Sequence, residues 1–530
     1  MKGKKDLTSN INKPEVKFTS TVIVVTICIL LSKLTGLFRE QLMAYFFGAN
    51  WETDAFRISF LIPNQFRQLL ADAVLSAAFI PVFSSYLALG KKRDASKLAN
   101  TLINLLIIIF ILIILIVFIT IPSIYRILPG LKDDLSQYSL AILLTRIMFF
   151  SLLFMGLTAI LSALLNSYES FVPPAFSTVI WNILIILVFL LLHRKYGILS
   201  FAIGIVIGTI GQFLFLLLFL RNKDFNYEMN IELNHKGVKE VMLLSFPIIL
   251  SLGSAQLNNV INKVFALSIG TGETTILEYA SYLWFFPVGI FAVAVSTIIF
   301  PLISKQAAKN QIEDLKESFL TGTKLTNFLL IPSSMGIISL AHPIVTLLFE
   351  RGEFTSSNTF STAVVLSYLA ISLVPYGMVL ILNRTFFALK DSKTPLKIAI
   401  FSIFCTLFFN MILIRFLKTA GLALSTSLVI SINFLLLFLL LRKKIGRLKG
   451  TEILYSTLKI FLASCIMSIF AYFTYNYIYN LLSSYKLGLL FSILISITLA
   501  LIVYITLCFI FKVEELDSFL QVIKERFKTS

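Results

Sequence analysis

Val22-Ile23-Val24-Val25-Thr26-Ile27-Cys28-Ile29-Leu30-Leu31-Ser32-Lys33-Leu34-Thr35-Gly36-Leu37-Phe38-Arg39-Glu40 is the stretch on which the reading of the chain turns. It follows a basic segment (Lys2, Lys4, Lys5, Lys13, Lys17). A cleaved leader would show a small-residue cleavage site after its apolar core. Here the apolar run continues past Lys33 to Arg39, so it reads as a retained first membrane span that carries charge. The rest of the chain agrees. Of 530 residues, 58% are hydrophobic and 14% charged, with mean hydropathy +0.91. Soluble domains carry about 25% charged residues. A soluble core also stops growing near roughly 250–300 residues. Lipid as solvent removes the conflict, and the expected fold class is an all-α polytopic membrane protein.

A span needs about 20 mainly apolar residues. Fourteen candidates satisfy this: 18–38, 66–89, 98–122, 138–164, 173–192, 196–220, 239–265, 277–303, 326–349, 358–386, 396–416, 420–441, 453–477 and 487–511. Charge placement tests the count, because cytoplasmic loops hold the excess Lys and Arg. With the N-terminus inside, 30 of the 45 Lys and Arg fall in inner segments and 11 in outer ones. The inner groups include Lys91-Lys92-Arg93 and Arg442-Lys443-Lys444. Both termini of this multi-pass protein are therefore expected in the cytoplasm.

The formal charge of +18 is spread among these loops, not gathered on a basic domain, so nucleic acid is not an expected partner. Cys28, Cys405, Cys465 and Cys508 all sit inside apolar runs, without a Cys-x-x-Cys pair, and only three histidines are present. Neither a disulfide framework nor a metal site is expected. No glycine-rich phosphate loop precedes Lys-Ser or Lys-Thr, so no ATPase motif and no enzyme are expected. No cofactor is expected, and any transport would be driven by the membrane potential, a monovalent-cation gradient or a partner.

The chain repeats itself. Phe79-Ile80-Pro81 and Ile299-Phe300-Pro301 stand 220 residues apart, Met43-Ala44…Gly48 and Phe265-Ala266…Gly270 stand 222 apart, and Pro174 and Pro395 stand 221 apart. Each copy would hold six spans in the same orientation, a known transporter plan with a substrate path at the repeat interface. The expected organisation is a tail (1–17), a first six-span lobe (18–222), an amphipathic linker and second lobe (223–441), a basic linker with two extra spans (442–511), and a tail (512–530). Gly204-x-x-x-Gly208 suits close helix packing in the sixth span.

Ionisable groups at bilayer depth cost roughly 2.5–3.5 kcal/mol and turn towards protein or a wet cavity. The first copy holds Lys33, Arg39, Asp54, Arg57, Arg67 and Asp72, with Arg146 in the fourth span. Pro63 should break its helix and leave Arg67 just beyond. Lys33, Arg39 and Arg67 are cations suited to an anionic, phosphorylated substrate. Asp54 and Asp72 are candidate partners for them when the cavity is empty. Snorkelling to an interface is the competing reading of Arg39 and Arg57. Glu350 and Arg351 suggest an external clamp, and Arg384 ends the tenth span. Asn166, Asn182 and Asn410 read as helix–helix hydrogen bonds.

Several of these stretches form a pattern: Ser32-Lys33-Leu34-Thr35-Gly36-Leu37-Phe38-Arg39-Glu40, Thr53-Asp54-Ala55-Phe56, Pro63-Asn64-Gln65-Phe66-Arg67, Ser76-Ala77-Ala78-Phe79-Ile80-Pro81, Leu348-Phe349-Glu350-Arg351-Gly352 and Arg384-Thr385-Phe386-Phe387-Ala388-Leu389-Lys390-Asp391. Together they resemble the MurJ/MviN family of lipid II flippases, over roughly residues 20–440. The resemblance implies a MATE-like fold of the MOP exporter superfamily, with two six-helix lobes around a cationic cavity. It implies that the two extra helices form a groove for a polyprenyl tail. The implied cargo is the undecaprenyl-diphosphate-linked peptidoglycan precursor, with membrane lipids and cell-wall synthesis proteins as further partners.

Family-essential positions fall on Lys33, Arg39, Asp54, Arg67 and Asp72, and the cations are implied to hold the diphosphate. The family's Ala-Asp-Arg-Leu is replaced by Ala280-Ser281-Tyr282-Leu283, and Asn262 stands where Asp is frequent. Lys263 is then the candidate replacement cation beside Ser281 and Tyr282. The implied mechanism is alternating access, with the head group entering the cavity while the tail stays in lipid. Export of another polyprenyl-linked glycan, and a non-transporting envelope scaffold, are the alternative readings.

Overall fold

The computed structural model describes residues 13–69, 78–131, 134–221, 223, 225–483, 485 and 487–516. Among these residues the chain forms sixteen α-helices. In order they are α1 (Lys13–Phe47), α2 (Trp51–Gln68), α3 (Ile80–Ala88), α4 (Lys92–Ile127), α5 (Leu135–Ser167), α6 (Val172–Tyr196), α7 (Leu199–Leu220) and α8 (Lys236–Leu267). They continue with α9 (Glu273–Pro287), α10 (Val293–Ala308), α11 (Ile312–Phe349), α12 (Ser356–Ala370), α13 (Leu373–Ala388), α14 (Lys393–Ile445), α15 (Gly450–Leu482) and α16 (Gly488–Ile510). A π-helical turn, Val288–Ala292, joins α9 to α10.

The expectation of an all-α membrane fold holds, while the count of crossings is coarser than fourteen. Among the described residues nine helices are long and apolar enough to cross a membrane, or ten if the α12–α13 pair, bent by 43°, is one span. The length of α14 explains part of the difference. A straight 53-residue helix would run about 80 Å, far beyond the bilayer. Instead Lys418 leaves the helical region (φ 51°, ψ −130°) and the chain folds back. A Cβ on Gly421 would lie 2.4 Å from the carbonyl oxygen of Leu413, eight residues earlier. In a continuous helix those residues are separated by about 12 Å. Large side chains such as Ile119, Leu191, Phe416 and Phe509 lie on the outside, where hydrocarbon is the only compatible solvent.

The chain divides into two compact units: Met1–Met43 with Trp51–Gln256, and Ala44–Asn50 with Leu257–Ser530. The offset read from the sequence returns in their backbones. Positive-φ positions recur as Gly90 and Asn310, Gly130 and Gly352, Glu169 and Lys390, and Gly197 and Lys418. Gly197 (φ 52°, ψ −133°) and Lys418 have nearly the same dihedrals.

The cores repeat as well. In the first unit Phe79, Phe83, Ile160, Leu161, Leu165, Leu216 and Leu220 share one buried cluster. In the second, Ile299, Ile303, Ile381, Leu382, Phe386, Leu437 and Leu441 take the corresponding places. Even one close fit recurs. Gly156 makes room for the ring of Phe110, and Gly377 makes room for Leu330. Helices α15 and α16 pack on α11 through Ile460, Ala463, Met467, Ala500, Tyr504, Phe328 and Ile331.

Two outcomes are expected from this geometry in thermal unfolding of the purified protein. A methyl at Gly156 would sit 2.2 Å from the Phe110 ring, so Gly156→Ala should lose about 1–3 kcal/mol, largely restored by Phe110→Leu in the same chain. Lys418→Gly should raise the melting temperature by relieving about 1–3 kcal/mol of backbone strain, whereas Lys418→Val should lower it.

Candidate functional site

The site builds from the C-terminal half of α1. Gly36 is buried, so this segment lies close against its neighbours, and the next two polar residues, Arg39 and Glu40, are drawn inward. Glu40 accepts from Arg39 Nη2 at 2.8 Å and from Arg57 Nη2 at 2.5 Å. Its side chain is 6% exposed, that of Arg57 7% and that of Arg39 17%. One carboxylate thus bridges two guanidinium groups, and the trio carries a net charge of about +1. Such charges persist away from water only when paired and hydrogen-bonded.

Helix α6 completes the setting. Arg39 Nη1 donates to Asn182 Oδ1 at 3.1 Å, and its guanidinium lies 4.9 Å from the ring centre of Trp181. Asn182 in turn donates to the carbonyls of Ser32 and Thr178, and Trp181 Nε1 donates to Thr209 Oγ1 on α7. Arg39 is therefore held in one pose by a charge, an amide and an aromatic face. Asn182 joins helices, as the sequence suggests, and it also orients the arginine.

The other expected cations are placed differently. Lys33 and Arg67 are exposed, and Arg67 folds back to donate to Asn64 Oδ1 at 3.1 and 3.2 Å. Pro63 lies inside α2 without ending it, so Arg67 stands in the helix's last turn. Asp54 is fully buried in the first turn of α2, where free backbone amides favour an anion. Asp72 lies outside the described residues. Arg57 does not snorkel. It is buried against Glu40, a carboxylate that the sequence reasoning did not single out as its partner. The signal for it was the adjacency of Arg39 and Glu40 next to a buried glycine.

Arg146 on α5 has a local cause. Pro122 has no amide hydrogen to offer the carbonyl of Phe118, four residues earlier on α4. Arg146 Nη2 approaches that carbonyl at 3.4 Å, with the Phe118 ring 5.9 Å away. Glu350 and Arg351 do not form the expected clamp. Glu350 accepts from the Thr346 hydroxyl, and Arg351 donates to the Leu347 carbonyl. Arg384 is exposed and lies 5.1 Å from the ring centre of Phe300.

In the second unit Lys263 is buried and paired with Glu278 at 2.8 Å, one turn before Ser281 and Tyr282 on α9. The hydroxyl of Ser281 donates to the Leu277 carbonyl of its own helix, so its proton is already committed. Asn262 donates to Thr426 and accepts from Asn410, a neutral seam between α8 and the two legs of α14.

Comparison with known proteins agrees with this arrangement. A family model described as lipid II flippase MurJ matches residues 43–496. A probable lipid II flippase MurJ of Rickettsia prowazekii (strain Madrid E) is 32% identical over 419 residues, 78% of this chain and 82% of that protein. The lipid II flippase MurJ of Burkholderia cenocepacia is 33% identical over 423 residues, with the same shares. A solved lipid II flippase MurJ in an inward closed conformation superimposes with TM-score 0.76 and 28% identity, covering 92% of this chain and 98% of that one. An inward-facing MATE family transporter of the MOP superfamily shares the fold, with TM-score 0.68 and 17% identity over 81% of this chain and 99% of that one.

Removing the shared carboxylate tests the site. Glu40→Gln should cost about 3–5 kcal/mol of stability, because one buried and one partly buried guanidinium group lose their counter-charge. In a double-mutant cycle with Arg57→Gln the two losses should be non-additive by about 0.5–3 kcal/mol. Thermal unfolding of the four proteins measures both.

Proposed function

The chain belongs to the MurJ family of lipid II flippases, and on that premise we propose that Arg39, held by Glu40, Asn182 and Trp181, is its anchor for the cargo diphosphate. The protein is a transporter of the bacterial inner membrane that moves the undecaprenyl-diphosphate-linked precursor of peptidoglycan across the bilayer. It is not a catalytic enzyme. The observation that carries the site is the +1 trio of Arg39, Glu40 and Arg57, buried where cations are costly. Arg39 engages one hydrogen on each Nη in these contacts, and a guanidinium has five N–H donors, so donors remain for phosphate oxygens. Arg67 and Lys33, both exposed, are the further cations assigned to the same anion.

The proposal extends to topology. Fourteen crossings, twelve of them in two copies of six, with both termini cytoplasmic, agree with the repeated backbone positions and with the loop charge bias. Transport proceeds by alternating access, the head group crossing while the polyprenyl tail stays in lipid along α15 and α16. The energy source is the membrane potential. Each phosphate carries one negative charge, and taking a negative charge outward across an inside-negative membrane releases about 2.3 kcal/mol per 100 mV. That release belongs to the whole cycle, whatever charge the empty site carries back.

Arg39→Ala and Arg67→Ala should each abolish translocation of lipid II in reconstituted vesicles, with membrane insertion unchanged, and should fail to complement a conditional flippase-null strain. Wild-type translocation by both variants would exclude the diphosphate-binding role. A scaffold without transport activity would complement despite both changes.

A further inference from the structure

Residues 225–235, between α7 and α8, form no helix or strand, yet they are tightly tied down. The ties come from one stripe of α4, at positions 97, 100, 101 and 104. Asn100 donates to the carbonyl of Asn226, and Asn104 donates to those of Glu228 and Asn230. Tyr227 donates its hydroxyl to Asn104 Oδ1 at 2.7 Å, and the amide of Glu232 donates to Thr101 Oγ1. Lys97 and Glu232 form an ion pair at 2.8 Å, and the hydrogen bond from Lys97 holds that carboxyl below its usual range. Tyr86 and His235 meet at the far end, their rings tilted by 40° with centres 5.6 Å apart.

That stripe has a telling continuation. The helical positions that follow it up α4 (Ile108, Ile111, Leu112, Leu115, Ile119) are all exposed and apolar, which marks this side of the helix as lipid-facing. The strap therefore lies on the lipid side of α4, just below its hydrocarbon-facing section. Along the strap apolar side chains recur at every second position, alternating with the exposed polar residues Asn226, Glu228 and Asn230. Tyr227, Met229, Ile231 and Leu233 are exposed, Met229 at 93%. Lys92, Arg93, Lys236 and Lys239 stand exposed around it.

We propose that residues 225–235 form an interfacial anchor, in which Met229, Ile231 and Leu233 enter the headgroup–acyl boundary of the leaflet where α4 begins. The occupant of this face is phospholipid. Continuity with the lipid-facing stripe of α4 places the strap at that depth, and the surrounding cations suit anionic headgroups. Alternating apolar and polar residues give the strap the two faces that an interfacial element needs, while its backbone is satisfied by α4, not by water. The polar stripe and the strap depend on each other. Without the strap, Asn100, Thr101 and Asn104 would face lipid headgroups and chains.

The test uses Met229→Trp in the full-length protein in vesicles of phosphatidylethanolamine and phosphatidylglycerol, with the parent protein's tryptophan signal subtracted. The added tryptophan should emit at blue-shifted wavelength and resist aqueous iodide. Lipids brominated near the headgroup end of the chain should quench it more than lipids brominated near the bilayer centre. Releasing the strap with Asn104→Ala should weaken that quenching. A tryptophan that emits as in water, is quenched by iodide and ignores brominated lipid overturns the proposal, and would leave a protein partner as the reading of this face. Met229 is so exposed that its replacement leaves folding intact, which keeps the outcome decisive.

Discussion

A guanidinium cannot shed its proton under any condition the membrane offers, so an arginine drawn into a hydrocarbon slab forces its surroundings to answer it. In the first unit the answer is Glu40. It meets Arg57 from α2 and its own neighbour Arg39, and Asn182 and Trp181 of α6 close around Arg39. Three helices are committed to each other by this one cluster. Its cost explains other features: the buried Gly36 that lets the helix approach, and the Asn182 bond to the carbonyl of Ser32, which ties α6 to the turn of α1 below the arginine.

The second unit shows what the fold does when that demand is absent. An offset of 222 carries Glu40 to Asn262 and Arg57 to Tyr279. Asn262 sits in a neutral seam with Asn410 and Thr426, and Tyr279 is buried against Phe349 and Phe354. The backbone turns, the core clusters and the glycine-for-side-chain fits are kept, while the ion cluster is replaced by amides and rings. The second unit's own charge pair, Lys263 with Glu278, stands one residue after the first of those places and one residue before the second. The repeat is thus a shared frame in which the polar positions have diverged, and the charge is concentrated in one copy.

Much of this was legible in the sequence because lipid punishes inconsistency so heavily. Apolar runs and loop charge bias follow from that constraint, and the backbone breaks at Gly197 and Lys418 stand 221 residues apart, the spacing at which the sequence motifs recur. Pairing was harder to read. Arg57 finds its partner 17 residues earlier on another helix, a relation that helical spacing cannot express. The Lys33–Arg39 spacing drew notice to cations and away from Glu40. Arg146 read as a functional charge because its reason, the carbonyl freed by Pro122, lies 28 residues from it on the preceding helix. Glu350 and Arg351 are neighbours in sequence, but Arg351 reaches back from beyond α11 to a carbonyl of its last turn, so adjacency misled there.

The same electrostatics explain why such a cluster suits a carrier and not a lock. A trio with two cations and one anion is stable enough to persist but is not neutral, and the surplus positive charge remains a standing cost in a low-dielectric surround. In the proposed role an arriving diphosphate would lower that cost, and its own loss of water would be offset by the donors Arg39 retains. A fully neutral pair would hold the helices together equally well and would gain nothing from an anion. Because a ligand moves a conformational equilibrium only by binding one state more tightly, the useful quantity is the change in this surplus between states. Glu40 is the natural place for that change to be set. Whatever shifts its distance to Arg39 by an ångström alters how much positive charge Arg39 presents, without any cation having to leave the protein interior.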